Sequence, residues 1–163
     1  QALRAHQEGR SEEAIGLLAR AATEQPEDLA VAADLAKLLA LTGQPAQALH
    51  LLAALPMEAR RDGRIAPLLA HLELLDAAEH GPADAEARLA ADPSDAEARL
   101  TQAARALVAD QPEAAMDGLL ALATGAPAFR QDIGRRALLT LFGMLGPEHE
   151  LTRRYRARLA AEA

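Results

Sequence analysis

The chain has no cysteine and no tryptophan, and it has only two phenylalanines and one tyrosine among its 163 residues. Without cysteine it can form no disulfide, thiolate nucleophile, iron–sulfur cluster or cysteine-based zinc site. Residue types that favour strands are few, whereas alanine and leucine, which favour helices, are abundant. The composition therefore predicts an all-α protein that carries no redox chemistry of its own.

The charge is acidic overall but unevenly distributed. The chain contains 17 Lys and Arg against 24 Asp and Glu, which gives a formal net charge of −7. This balance opposes broad binding to nucleic acid, because such binding requires a basic face. Residues 129–163, in contrast, contain more basic than acidic side chains. We therefore expect a locally basic C-terminal end.

One uncharged stretch, between Lys37 and Glu58, is long enough to span a bilayer. A spanning helix tolerates polar and helix-breaking residues least at its middle. The middle of this stretch contains five of them, Gly43, Gln44, Pro45, Gln47 and His50. Two shorter helices are the better interpretation, and the N-terminal residues show no signal-peptide pattern. We expect no membrane association and a cytoplasmic location.

An internal repeat is visible in the spacing of small and apolar residues. Four residues recur 34 positions later: Gly9, Ala14, Leu18 and Ala21 correspond to Gly43, Ala48, Leu52 and Leu55. A third copy contains Asp110, Ala115, Leu119 and Leu122. Each of these lies 67 residues after its counterpart in the second copy, one residue less than two periods of 34. The glycines are expected to end helices in the left-handed conformation, while the alanines allow close approach and the leucines form an apolar stripe. The pattern predicts helix-turn-helix repeats.

Local signals place the helix boundaries. Helix starts are indicated by Ser11 with Glu12 and Glu13, by the first-turn prolines Pro45 and Pro112, and by a capping box from Ser94 to Glu97. The expected helices are at about 1–9, 11–25, 28–42, 45–55, 64–80, 83–91, 95–109, 112–124, 131–145 and 149–162. The first lacks a cap, so we expect the chain to be a fragment of a longer protein. Residues 56–63 are predicted to form a hinge or long loop.

This spacing resembles the tetratricopeptide repeat. The resemblance implies a single domain over residues 1–163, an α-solenoid in which antiparallel helix pairs stack into a right-handed superhelix with a concave binding face. Such arrays serve many partners, so the repeat alone does not specify a function.

The C-terminal third resembles a narrower family. Its segments AADPSDAEAR at 90–99, GRRALLTLF at 134–142, LGP at 145–147 and YRARL at 155–159 are similar to bacterial co-chaperone thioredoxins of the YbbN/CnoX type. That resemblance implies a thioredoxin domain upstream and a non-catalytic domain here. It further implies binding of unfolding clients, their transfer to the chaperones GroEL or DnaK, and a terminal helix that contacts the chaperonin.

The terminal helix is the first candidate site. An apolar stripe of Leu151, Tyr155 and Leu159 is surrounded by four arginines at 153, 154, 156 and 158. A basic amphipathic helix can dock on an acidic partner groove, but it can equally be a solubilising cap at the end of a repeat array. Both interpretations stay open. The predicted partner-binding residues are Arg153, Arg154, Tyr155, Arg158 and Leu159.

The concave face is the second candidate site. From their register, the first helices of the pairs are expected to project mostly small or apolar residues that bind clients, namely Ala33, Lys37, Leu100, Ala104 and Leu107. The same residues could instead be covered by the protein itself or by a neighbouring domain. The chain contains no asparagine, which argues against the clamp that eukaryotic chaperone-binding repeats use for C-terminal carboxylates. In the helix at 131–145, core packing is favoured over an exposed client groove.

No residue pattern indicates catalysis. The five histidines never lie three or four residues apart, so we expect no metal site. Acidic clusters fall at helix starts, where they favour the helix dipole, and neither a phosphate-binding loop nor a nucleophile elbow is present. We expect a non-enzyme without cofactors, as a monomer or weak dimer. Two alternatives to the co-chaperone are a general tetratricopeptide scaffold and a docking subunit of a redox enzyme.

Overall fold

The computed structural model describes Ala5 and residues 9–162, and this part of the chain is all-α, with ten helices and no strand. The helices are α1 (Ser11–Glu24), α2 (Leu29–Leu41), α3 (Pro45–Ala53), α4 (Met57–Arg60), α5 (Ala66–His80), α6 (Ala85–Ala91), α7 (Ala96–Val108), α8 (Pro112–Gly125), α9 (Ile133–Leu145) and α10 (Glu150–Ala161). The predicted all-α class is confirmed. None of these helices is both long and apolar enough to cross a bilayer.

The predicted helices from residue 11 onward all have a counterpart, with ends that agree within two residues. The predicted helix at 1–9 lies largely outside the described residues. Helix α4 is additional, since a single helical turn occupies part of the segment expected to be a hinge or loop. One turn contains too few residues to show a helical period, which is why the sequence pattern missed it.

The described chain divides into two compact units, with the boundary between Leu72 and Glu73 inside α5. In the first unit, α2 packs against α1 and α3. The repeat residues Ala14, Ala48 and Leu52 are completely buried there. The start of the α5 region adds Ile65, Leu69 and Leu72 to the same core.

In the second unit, α8 is the central helix and packs against α7, α9 and α10. Its repeat residues Ala115, Leu119 and Leu122 are buried, as the repeat predicted. Three residues connect α7 to α8 and three connect α2 to α3. Connections this short make the paired helices antiparallel neighbours.

The repeat turns adopt the conformation that their glycines predict. Gly9 and Gly43 have φ of +78° and +80°, and Asp110 has φ of +57° at the equivalent position of the third copy. Each turn also contains the same backbone hydrogen bond. In it, the residue after the one with positive φ donates its N–H to the carbonyl of the residue five positions earlier in the chain. The three bonds are Arg10 N–H to Ala5 at 2.8 Å, Gln44 N–H to Leu39 at 2.8 Å and Gln111 N–H to Ala106 at 2.9 Å. This is the Schellman geometry that satisfies helix C-terminal carbonyls.

The capping box predicted from Ser94 to Glu97 is wrong. Helix α7 is capped by Asp95, whose carboxylate accepts from the Ala98 backbone N–H at 3.0 Å. The Ser94 hydroxyl instead donates to the Asp92 carboxylate at 2.6 Å. Asp92 and Asp95 flank Ser94, and a carboxylate is a stronger hydrogen-bond acceptor than a hydroxyl. Asp95 therefore caps the helix in place of Ser94. The first-turn prolines Pro45 and Pro112 are confirmed.

Candidate partner-binding surface

The apolar side of α10 lies against the protein and not against solvent. Tyr155 and Leu159 are buried, together with Thr152, where α10 packs on α8 and α9. Tyr155 and Leu159, which were predicted to contact a partner, are therefore not accessible on the surface of the structure. The stripe is buried because it covers apolar surface of α8 and α9.

A polar network holds this helix on α8. The Tyr155 hydroxyl donates to the Asp117 carboxylate at 2.8 Å and lies 3.1 Å from the Glu113 carbonyl oxygen. Arg158 donates to the same Asp117 carboxylate at 2.7 Å, and Arg154 pairs with the Glu113 carboxylate. Two of the arginines predicted to bind a partner are thus engaged within the chain.

The network shifts the protonation equilibria of its members. Burial raises the pKa of Asp117, but hydrogen bonds from Tyr155 and Arg158 outweigh it and leave the pKa below its ordinary value. Burial and the neighbouring Asp117 carboxylate both raise the pKa of the Tyr155 phenol. At neutral pH, Asp117 is therefore a carboxylate that accepts from a neutral phenol.

The outer side of α10 is basic and open. Arg153 has a side chain 67% exposed, and its guanidinium lies 3.9 Å from the Glu148 carboxylate. Arg156 is exposed, and its guanidinium lies over the Phe142 ring at 5.5 Å. Arg153 is thus the predicted partner-binding residue with the most exposed side chain. Arg156 is one of the four arginines around the apolar stripe but was not among the predicted partner-binding residues. It lies with Arg153 on the outer side of α10.

The residues predicted to form a client-binding concave face are mostly internal. Ala33, Leu100 and Ala104 are buried and Leu107 is half-buried, so the first three offer no surface to a client. Lys37 is exposed and its ammonium group lies 3.4 Å from the Asp34 carboxylate. Their burial has a simple cause, because small and apolar residues on these helices are covered by neighbouring helices.

Helix α9 is confirmed as a core element. Its buried stripe consists of Ile133, Ala137, Leu138, Leu141 and Phe142. Leu139 and Met144 lie outside that stripe and are more than half exposed. The helical period predicts which residues share the apolar side, and the structure shows that the protein itself buries that side.

Two arginines that sequence reasoning did not single out hold the second unit together. Arg105 donates to three backbone carbonyls in the last turn of α5 and in the connection after it, those of Ala78 at 3.2 Å, Gly81 at 3.1 Å and Pro82 at 3.1 Å. Arg136 binds the Glu73 carboxylate at 2.8 Å. These partners are more than twenty residues away along the chain, so no local signal indicates them.

The turn before α9 is the most unusual backbone segment. Arg130, Gln131 and Asp132 are consecutive non-glycine residues with φ of +44°, +58° and +59°. Arg136 donates to the carbonyls of Gln131 at 2.9 Å and Arg130 at 2.8 Å, which holds this left-handed turn in place. Asp132 caps α9 by accepting from the Arg135 backbone N–H at 3.3 Å. These contacts offset the strain of the left-handed residues.

The titratable side chains of the described residues have structural roles. The described residues include no group of three His, Asp or Glu side chains that could hold a metal ion. The carboxylates with lowered pKa each serve a helix cap, a turn or an ion pair.

Comparison with known proteins agrees with the repeat pattern. Two family models, both described as Tetratricopeptide repeat, match residues 5–72 and 75–162. No curated protein matches the chain. Among solved structures, the chain is similar to a domain of a Vibrio parahaemolyticus protein of unknown function, with 24% identity, coverage of 100% of this chain and 96% of that chain, and a TM-score of 0.42. With more than half of its length matched by one such model, the chain belongs to the tetratricopeptide repeat family, whose helix pairs are non-catalytic scaffolds for protein–protein interaction.

Proposed function

We propose that this chain is the partner-binding domain of a bacterial, cytoplasmic thioredoxin-family co-chaperone, and that the basic outer side of α10 contacts a chaperone, GroEL in the first place and DnaK as the alternative. The observation that carries the proposal is the exposure of Arg153 and Arg156 on the last helix of a chain with net charge −7. The chaperone is named from the resemblance of residues 90–99, 134–142, 145–147 and 155–159 to the YbbN/CnoX type. That resemblance also implies a thioredoxin domain before this one in the complete protein.

The proposal assigns the partner contact to α10 and not to the predicted concave face. A client cannot bind through Ala33, Leu100 or Ala104 while these residues are buried. Exposed arginines, in contrast, are well suited to meet an acidic surface, where they raise the association rate and fix the orientation.

The test is calorimetric titration of the chain with purified GroEL. Replacing both outer arginines, Arg153→Ala with Arg156→Ala, is expected to weaken binding by about five- to tenfold, the range for loss of two exposed charge contacts. The matched control, Arg20→Ala with Arg61→Ala, removes two exposed arginines from the first unit and is expected to bind like the unmodified chain. Added salt should weaken binding because exposed charges are screened.

Equal affinity of the outer-arginine variant and the unmodified chain would exclude α10 as the contact. Absence of any binding to GroEL and to DnaK would remove the co-chaperone assignment altogether.

A second candidate is a general tetratricopeptide scaffold for another assembly. The specific observation in its favour is that most of the residues expected to bind clients are buried. The predicted client-binding surface is therefore not exposed. A coding sequence without an upstream thioredoxin domain, together with no chaperone binding, would support this candidate. The third candidate is a docking subunit of a redox enzyme. Disulfide reductase assays of the complete protein with and without this segment would test it.

A further inference from the structure

Helix α10 buries little apolar surface compared with its neighbours. Its buried residues are Thr152, Tyr155 and Leu159, so one ring and one leucine side chain supply most of its apolar contact. Helix α8 buries six residues, Ala115, Met116, Leu119, Leu120, Leu122 and Ala123. Because burial of apolar surface is the main force that holds a short helix in place, α10 should detach at a lower free energy than α8.

The docked state also contains an unfavourable element. Thr152 is completely buried, and its hydroxyl has no hydrogen-bond partner. The other buried threonine of the described chain, Thr101, donates to the Glu97 carbonyl at 3.0 Å. An unpaired buried hydroxyl is destabilising, and water would solvate it as soon as α10 left its site.

The polar contacts of α10 indicate which surface the helix fits. Arg154 pairs with Glu113 and Arg158 with Asp117, and the four side chains are between 41% and 61% exposed. Ion pairs this exposed are weak and are screened by salt. Both partners are carboxylates, so an acidic protein surface offers the helix the same chemistry.

Building on the proposed function, we infer that α10 is a releasable latch: the helix leaves α8 and α9 as a unit, and acidic groups of a protein partner replace Glu113 and Asp117 as acceptors for Arg154 and Arg158. The connection available as a hinge is residues 146–149, which includes Gly146 at φ +88°. Release exposes Tyr155 and Leu159, and a groove on the partner can bind them as the apolar side of an amphipathic helix. The buried stripe and the partner-binding stripe are then the same residues in two states.

Amide hydrogen exchange of the full chain, followed by mass spectrometry, tests the latch. In the unmodified chain the amides of α10 are expected to exchange faster than those of α8. Thr152→Val removes the unpaired hydroxyl at nearly constant shape and should slow exchange in α10 by about fivefold or more, leaving α8 unchanged. The control, Thr101→Val, removes a paired hydroxyl and should not slow α10.

A second variant moves the equilibrium in the opposite direction. Glu113→Gln with Asp117→Asn removes the negative charge of both acceptors, and with it both ion pairs, and should accelerate exchange in α10 by about fivefold. Equal exchange rates in α10 and α8, changing together in every variant, would show that α10 opens only with the whole unit and would overturn the latch.

The partner chemistry is tested with poly-L-glutamate as the acidic probe at low salt. Glu113→Gln with Asp117→Asn should bind it more tightly than the charge-matched control, Glu24→Gln with Glu58→Gln, which neutralises two exposed carboxylates of the first unit. Equal gains in the two variants would mean that net charge alone is responsible and would overturn the acidic-partner assignment. If these results hold while GroEL does not bind, the chaperone proposal fails and the latch stands.

Discussion

At each repeat turn, one residue must adopt a positive φ. Gly9 and Gly43 meet this requirement without steric cost, because glycine has no Cβ. Asp110 occupies the equivalent position at φ +57° and experiences the contact between Cβ and the carbonyl that disfavours left-handed residues. The third copy of the repeat therefore carries strain that the first two lack.

Asp110→Gly is expected to raise the free energy of unfolding by about 0.5 kcal/mol, since relief of left-handed strain exceeds the added flexibility of the unfolded chain. The reciprocal variant, Gly43→Ala, should lower it by about 1 kcal/mol. A Cβ at Gly43 would meet no atom within 4 Å, so only backbone strain is measured. Urea unfolding followed by circular dichroism gives both values, and a loss of stability in Asp110→Gly would contradict the strain argument.

Asp117 should make the docking of α10 sensitive to acid. Burial raises its pKa and the hydrogen bonds from Tyr155 and Arg158 lower it, with a net value below the ordinary 3.8. A group whose pKa is depressed by folding stabilises the folded chain fully above the ordinary pKa, and this contribution is lost as the pH falls through the folded value. Stability should therefore fall more steeply below about pH 4 in the unmodified chain than in Asp117→Asn. Urea unfolding at pH 5 and pH 3 compares them, and parallel losses would show that Asp117 does not contribute.

Helices α8 and α9 approach each other closely, at a glycine. A Cβ built on Gly134 would lie 2.5 Å from the Ala123 backbone nitrogen and 2.7 Å from the Leu119 carbonyl oxygen. Both are backbone atoms of α8, so neither can move aside as a side-chain end could. The glycine sets the distance between the two helices.

Gly134→Ala is consequently expected to lower the free energy of unfolding by about 2 kcal/mol or more, the range for overpacking against a rigid neighbour. Gly143→Ala provides the control within the same helix, because a Cβ there meets nothing within 4 Å. It should raise stability by about 0.5 to 1 kcal/mol, as alanine favours the helix over glycine. If thermal unfolding showed equal effects in the two variants, the close approach would have no energetic role.

Helix boundaries were largely predictable because they depend on nearby residues. Periodic apolar positions, first-turn prolines and turn glycines all act within one or two helical turns. The exceptions are informative. Helix α4 is too short for a period, and Asp95 in place of Ser94 caps α7 because several acceptors lie next to one another.

The two family matches coincide with the two compact units. The first match, at 5–72, ends at the boundary between Leu72 and Glu73, and the second, at 75–162, begins just after it. In repeat proteins, stability is approximately a sum of local terms, so damage to one unit need not reach the other. Leu52 and Leu119 occupy the same repeat position, one in each unit, and both are completely buried.

Leu52→Ala is expected to destabilise the first unit by about 2 to 5 kcal/mol, the usual consequence of truncating a buried leucine. Hydrogen exchange should report the loss in α2 and α3 while α7 and α8 retain their protection. Leu119→Ala should produce the converse pattern. Equal losses throughout the chain in both variants would show that the two units unfold as one.

The sequence alone determined the longer helices, the repeat turns and the family, because these follow from interactions between residues a few positions apart. Its periodicity also showed that α9 and α10 each have an apolar side that something must cover. Only the tertiary structure decided what covers them, and it placed Tyr155 against Asp117 and buried Ala33, Leu100 and Ala104 within the protein. An apolar stripe has the same spacing whether its own chain or a partner buries it, since the hydrophobic effect has no direction. Which of the two occurs depends on contacts between residues far apart in the sequence.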